Sequence, residues 1–240
     1  MTDIIDINKT LDLVKIKFYN EWLYANHLYD EGDSAFHKTL TNQVVEKYFD
    51  PLNLPKDAVI LDLGCGPGYF LDEMKIRNYS NVTGVTLSHG DIKLCKDKGH
   101  VIKQFDLSFL PQREGYYDES VDFIFLRHAL EHSPYPIFSL IEYNRVLKQG
   151  GKMYIEVPAP DCERQHEFNL NHYSILGSMQ LGALLIRTGF NIDIFNNLEF
   201  DLSAEDKTVM TDDQKTGQIK KFSEKYFCIV VTKVKPLDIK

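Results

Sequence analysis

The sequence predicts an α/β fold: a sheet of seven strands, parallel through its first five, flanked by helices and preceded by an N-terminal helical extension. Three observations predict it. Short apolar runs alternate with amphipathic stretches from Ala58 onward, as in successive βαβ units. The first run, Val59-Ile60-Leu61-Asp62-Leu63, is apolar apart from one aspartate, the pattern of a strand covered on both faces. It passes into a glycine-rich turn, Gly64-Cys65-Gly66-Pro67-Gly68, and then directly into a helical pattern.

The elements follow in order. Leu11, Val14, Phe18, Trp22, Leu23 and Tyr29 fall at helical spacing, so a helix is expected over 11–29. A second is expected from about Phe36 to Phe49, stopping before Pro51, because the residue before a proline disfavours helical backbone. Residues 1–50 therefore read as a helical cap and residues 51–240 as the core of one domain. Core strands are expected near 58–63, 81–86, 100–105, 121–127 and 151–157. Helices are expected near 68–77, 89–98, 136–148 and 175–188, and two further strands near 190–200 and 225–234. Residues 201–221 are charged and poor in apolar side chains, and read as a hairpin loop or surface excursion.

Composition narrows the partners. The chain has 240 residues and a net charge of −8, with no basic run beyond Lys220-Lys221. A nucleic-acid binder presents a basic stripe, so bulk nucleic acid is not expected as a partner. No apolar run approaches the roughly 20 residues of a membrane span, so no membrane partner is expected. The start, Met1-Thr2-Asp3, does not read as a signal peptide. Cys65, Cys95, Cys162 and Cys228 are far apart in sequence and form no C-x-x-C pair. They are expected to be reduced structural thiols in the cytoplasm.

The glycine turn is the most informative segment. Gly64, Gly66 and Gly68 carry no Cβ, so a ligand can approach the backbone, and Asp62 places a carboxylate at the carboxyl edge of the sheet. A nicotinamide site would want G-x-G-x-x-G and an acid at the end of the second strand. Here the third glycine of that register is Tyr69, and the second strand, Asn81-Val82-Thr83-Gly84-Val85-Thr86, ends in threonine. Both departures disfavour hydride transfer.

Five segments carry a resemblance. They are Leu61-Asp62-Leu63-Gly64-Cys65-Gly66-Pro67-Gly68; Gly84-Val85-Thr86-Leu87-Ser88; Gln104-Phe105-Asp106-Leu107; Asp122 through His132; and Asn144 through Lys152. In order and spacing, residues 57–158 resemble the core of a class I S-adenosylmethionine-dependent methyltransferase. The resemblance implies a Rossmann-like, mostly parallel sheet whose final strand is antiparallel, and S-adenosyl-L-methionine as cofactor. It implies that Asp62 and the backbone of Gly64, Cys65 and Gly66, with Gly68, hold the methionine part. Thr86, Leu87 and Ser88 would lie by the ribose, with hydroxyls where the family normally has an acid. Asp106 and Leu107 would meet the adenine, and Arg127 and His128 would lie beside the methionine moiety. It also implies N-terminal helices that cover the cofactor and shape the acceptor pocket.

The remaining candidates are histidines. His128-Ala129-Leu130-Glu131-His132 spells H-x-x-E-H, a pattern that binds zinc when a helix turns both histidines to one face. Here it follows a strand and precedes Pro134 and Pro136, which argues against hydrolytic zinc. His132 or His128 is a candidate general base, since histidine titrates nearest neutrality. After the fifth strand, Asp161, His166, Glu167, Asn169 and His172 are candidates for acceptor binding or proton removal. The alternative is that His132 and some of these groups share a divalent ion; no resident metal is part of the main reading.

That reading is a methyltransferase acting on a small-molecule acceptor, with oxygen of a sugar or metabolite ahead of nitrogen or carbon. Methyl transfer from a sulfonium is an in-line displacement, so alignment, exclusion of water and deprotonation of a hydroxyl are the enzyme's tasks. The competing readings are a catalytically silent cofactor-binding scaffold or partner subunit, a metal hydrolase and a nicotinamide oxidoreductase.

Overall fold

A computed structural model describes residues 34–169, 171–203 and 221–235. The helix expected over 11–29 and residues 204–220 lie outside the described residues. The first described helix, α1 (Ala35–Val44), is capped by Ser34, whose hydroxyl accepts the His37 amide at 3.3 Å. The backbone then widens into one π-helical turn at Val45–Phe49 and tightens into a 3₁₀ turn at Asp50–Leu52, where Pro51 sits in the first turn. The expected continuous helix thus changes pitch twice before it ends.

The core alternates as expected: β1 (Ile60–Leu63), α2 (Tyr69–Ile76), β2 (Val82–Val85), α3 (His89–Asp97), β3 (Ile102–Lys103) and β4 (Val121–Arg127). There follow α4 (Pro136–Val146), β5 (Leu147–Pro158), α5 (Ser178–Arg187), β6 (Phe190–Ser203) and β7 (Lys221–Lys233). The seven strands form one sheet in the order β3-β2-β1-β4-β5-β7-β6. β1 to β5 run parallel, and β7 inserts antiparallel between β5 and β6. Strand order reverses at β1, between β2 and β4, so a crevice opens at the carboxyl ends of these strands.

Alternation along β4 assigns the two faces. Phe123 and Phe125 pack with Val45, Phe49, Phe70 and Tyr154 under α1 and α2. Ile124 and Leu126 pack on the other face with Leu140, Val146, Leu181 and Leu185 from α4 and α5. On the first face Phe70 stacks on Phe125 at 3.9 Å between ring centroids, and Phe125 on Tyr154 at 5.2 Å. The same parity places Arg127 on the α1 face at the end of β4, directly opposite Glu156 of β5. Glu156 in turn pairs with Cys228 of β7. Register alone therefore brings these residues to one edge beneath α1.

Candidate functional site

The crevice at the end of β1 is built from backbone. Asp62 is only 3 % exposed, and Gly64, Gly66 and Gly68 all have positive φ, at 76°, 47° and 86°. Gly64 and Gly68 are required by the protein's own packing as well as by conformation. A Cβ on Gly64 would lie 2.6 Å from the Ala129 Cβ, and one on Gly68 would lie 2.8 Å from the Cys95 Sγ. Two amides of the turn are taken up by the sheet itself. The Gly64 and Cys65 N–H groups both donate to the Val85 carbonyl, at 2.8 and 3.0 Å, and so lock β1 to β2 where the turn begins. Cys65 is buried beside Cys95, whose thiol donates to the Gly66 carbonyl at 3.4 Å. All four cysteines are free and buried.

At the end of β2, Thr86 Oγ1 accepts the Ser88 amide at 3.2 Å, and Ser88 caps α3 by accepting the Asp91 amide at 3.0 Å. Leu87 stands between them, half-buried. Asp106 is 5 % exposed and accepts the Ser108 amide at 2.7 Å. Burial raises its pKa, against the pull of the Ser108 hydrogen bonds. Leu107 packs against the core cluster beside it.

A second group forms where β4, β5 and β7 meet α1. Glu156 Oε1 receives Arg127 Nε at 2.8 Å and His128 Nε2 at 2.9 Å, while the Tyr154 hydroxyl donates to Oε2 at 2.5 Å. Burial disfavours the Glu156 charge, but the Arg127 charge and the His128 hydrogen bond outweigh it and hold the group at about 2. For His128, burial and Arg127 oppose protonation, and the hydrogen bonds to Glu131 and Glu156 overcome them, lifting it to about 9. His128 also adopts φ 50°, so the chain turns away from helical geometry there. Its ring sits between two carboxylates that favour the protonated form, which weighs against a general-base role.

Arg127, His128 and Glu156 line a cavity of about 140 Å³ with His37, Tyr48 and Tyr226. α1 covers it, and Arg127 Nη1 reaches Thr41 of that helix at 3.5 Å. Burial, then the Arg127 and His128 charges, push His37 down to about 4, so this ring is neutral. His37 carries no motif or spacing that would mark it in the sequence. Glu156 was missed as well, although a lone carboxylate in Met153-Tyr154-Ile155-Glu156-Val157 is the one usable signal.

His132, His166 and His172 do not line this cavity. His166 is buried with Nε2 2.8 Å from Glu224 Oε2, and Arg164 Nε lies 3.2 Å from Glu224 Oε1. His172 stacks on His166 at 5.6 Å and meets His132 edge-on at 5.0 Å. Asp161 and Glu167 are exposed and serve the loop: Glu167 Oε1 accepts the Asp161 amide at 2.6 Å where Asp161 takes φ 60°. The H-x-x-E-H segment is no helix, since only Leu130–His132 form a 3₁₀ turn.

Residues 36–193 match the family described as a methyltransferase domain. The chain is 35% identical over 159 residues to a tRNA (carboxymethyluridine(34)-5-O)-methyltransferase of Arabidopsis thaliana, covering 66% of this chain and 38% of that protein. It is 25% identical over 181 residues to the 27-O-demethylrifamycin SV methyltransferase of Amycolatopsis mediterranei, covering 68% of this chain and 65% of that protein. The chain thus spans less than two thirds of either curated relative. Among solved structures, a SAM-dependent methyltransferase from Archaeoglobus fulgidus superposes with a TM-score of 0.63 at 18% identity, over 92% of this chain and 99% of that one.

Proposed function

The chain belongs to the methyltransferase-domain family, and from that premise we propose that it is an S-adenosyl-L-methionine-dependent methyltransferase acting on an oxygen of a small molecule. The residues fit the cofactor. Asp62 offers a buried carboxylate for the ammonium, and the positive-φ turn of Gly64, Gly66 and Gly68 curves the backbone around the place where the methionine part would lie. Thr86, Leu87 and Ser88 border the ribose position, and Asp106 offers an acceptor to the adenine amino group. When bound, the cofactor supplies an electrophilic methyl group.

The observation that carries the oxygen acceptor is the Arg127–Glu156–His128 cluster on the wall of the cavity at this edge. Arg127 and His128 share the Glu156 carboxylate there while Glu131 balances the second cation, so the wall offers charged polar groups to an oxygen acceptor. For a hydroxyl acceptor, the neutral imidazole in the cavity is His37 rather than His128. With a pKa of about 4, His37 is a weak base until an anionic acceptor raises it. α1 and the turn after it, within residues 34–50, are the described part of the proposed 1–50 cap, and they line this side of the cavity. The two O-methyltransferase relatives support oxygen by their names and differ in acceptor size. The net charge of −8 supports a small acceptor over a polyanion. No described helix is long and apolar enough to cross a membrane; the four free thiols support a cytoplasmic setting.

Methyl-labelled S-adenosylmethionine, offered with hydroxylated and carboxylated small molecules, bulk tRNA and protein in separate reactions, tests the acceptor. Label on a small-molecule oxygen is expected. Label only in tRNA or protein overturns the acceptor class. Cofactor binding with no transfer to any acceptor favours a silent scaffold.

A further inference from the structure

The turn after β4 and the segment after β5 bring Glu131, His132 and His172 together, each offering one donor atom, all within 4.8 Å of one another. Both imidazoles are oriented through Nδ1. That of His132 lies 2.9 Å from the Asn171 carbonyl, and that of His172 lies 3.0 Å from the His166 carbonyl. A carbonyl only accepts, so each ring carries its proton on Nδ1 and presents the lone pair of Nε2. Metal-bound histidines are oriented by this same contact.

Glu131 supplies an independent observation. Its side chain is 1 % exposed, and Oε2 has no hydrogen-bond partner among the described residues, while Oε1 lies 3.6 Å from His128 Nδ1. A buried carboxylate oxygen without a donor is costly, and a cation removes the cost.

We infer that Glu131, His132 and His172 bind one divalent first-row transition-metal ion. Two imidazoles and a carboxylate suit zinc, iron(II), cobalt or manganese better than magnesium or calcium. Ligands around tetrahedral zinc stand about 3.4 Å apart, so the donor atoms must draw together by about an ångström. His132 and His172 are half-buried and can swing. The exposed Asn169 amide, 3.2 Å from His172 Nε2, is the group an ion displaces. Because φ 50° at His128 breaks the helix that H-x-x-E-H requires, His128 turns to Glu156, and His172 supplies the second imidazole. Three protein ligands leave a position for water or an acceptor oxygen, one side chain away from the cavity through His128.

The inference is independent of the methyl-transfer reading. Tag-free protein is stripped with chelator and dialysed against zinc, cobalt(II) or manganese. Metal content is then measured by mass spectrometry and cobalt coordination by visible absorption. Uptake of about one equivalent is expected, with affinity lowered at least 10–100-fold in His132→Asn and His172→Asn. His37→Gln should retain full uptake. Stripped wild type that takes up no stoichiometric metal, or folded His132→Asn/His172→Asn double variant that takes up as much as wild type, overturns the inference. Titration of the same stripped protein with S-adenosylhomocysteine separates the two readings: cofactor without metal rejects the metal site alone, and metal without cofactor rejects the methyltransferase alone.

Discussion

Replacing His128 with asparagine should change how stability depends on pH. Asparagine tolerates the left-handed φ of 50° better than other non-glycine residues, so the variant isolates the charge. The folded pKa of His128 is about 9 against an ordinary 6.5, held there by Glu131 and Glu156 in spite of burial. At ~1.4 kcal/mol per unit, that gap is worth on the order of 3 kcal/mol. Because the folded value is the higher one, the contribution is complete below pH 6.5 and is lost as pH rises through 9. Urea denaturation at pH 6 should therefore find His128→Asn less stable than wild type by about 3 kcal/mol. Near pH 9.5 the two proteins should converge. An equal stability gap at both pH values would refute the argument that this ring is a buried imidazolium.

Two further outcomes follow from the same geometry. Gly64→Ala combines a φ of 76° with a Cβ 2.6 Å from that of Ala129; urea melts should show a loss of about 2–4 kcal/mol, and a loss under 1 kcal/mol would mean that the turn relaxes freely. His37→Gln should lower kcat about 100-fold or more toward a hydroxyl acceptor while leaving cofactor affinity unchanged, as isothermal titration beside initial rates would establish; an unchanged kcat removes His37 from proton transfer.

The sheet was legible because its signals are local. The apolar run at β1, the glycine turn and the Ser88 cap each act within a few residues, and their elements begin within about two residues of the expected positions. β5 begins earlier than expected, at Leu147, because the chain enters the strand directly from α4. The glycines were read as room for a ligand, whereas the Cβ directions at Gly64 and Gly68 are filled by Ala129 and Cys95, partners 65 and 27 residues away in sequence. The histidines could be found but not assigned. His128 looks like a base until Glu156, 28 residues on, is seen beside it, and His166 becomes structural only once β7 brings Glu224 to it. His37 carried no sequence signal, because its meaning comes from Arg127 and His128 beneath it.

The central claim is that the Asp62 carboxylate and the turn after it hold S-adenosylmethionine, and titration calorimetry with S-adenosylhomocysteine on wild type and Asp62→Asn tests it most directly. Wild type should bind one equivalent, and Asp62→Asn should bind at least about tenfold more weakly, as loss of a charge-assisted hydrogen bond to the ammonium requires. No heat with wild type at millimolar ligand, or equal affinity for a folded Asp62→Asn, would contradict the account.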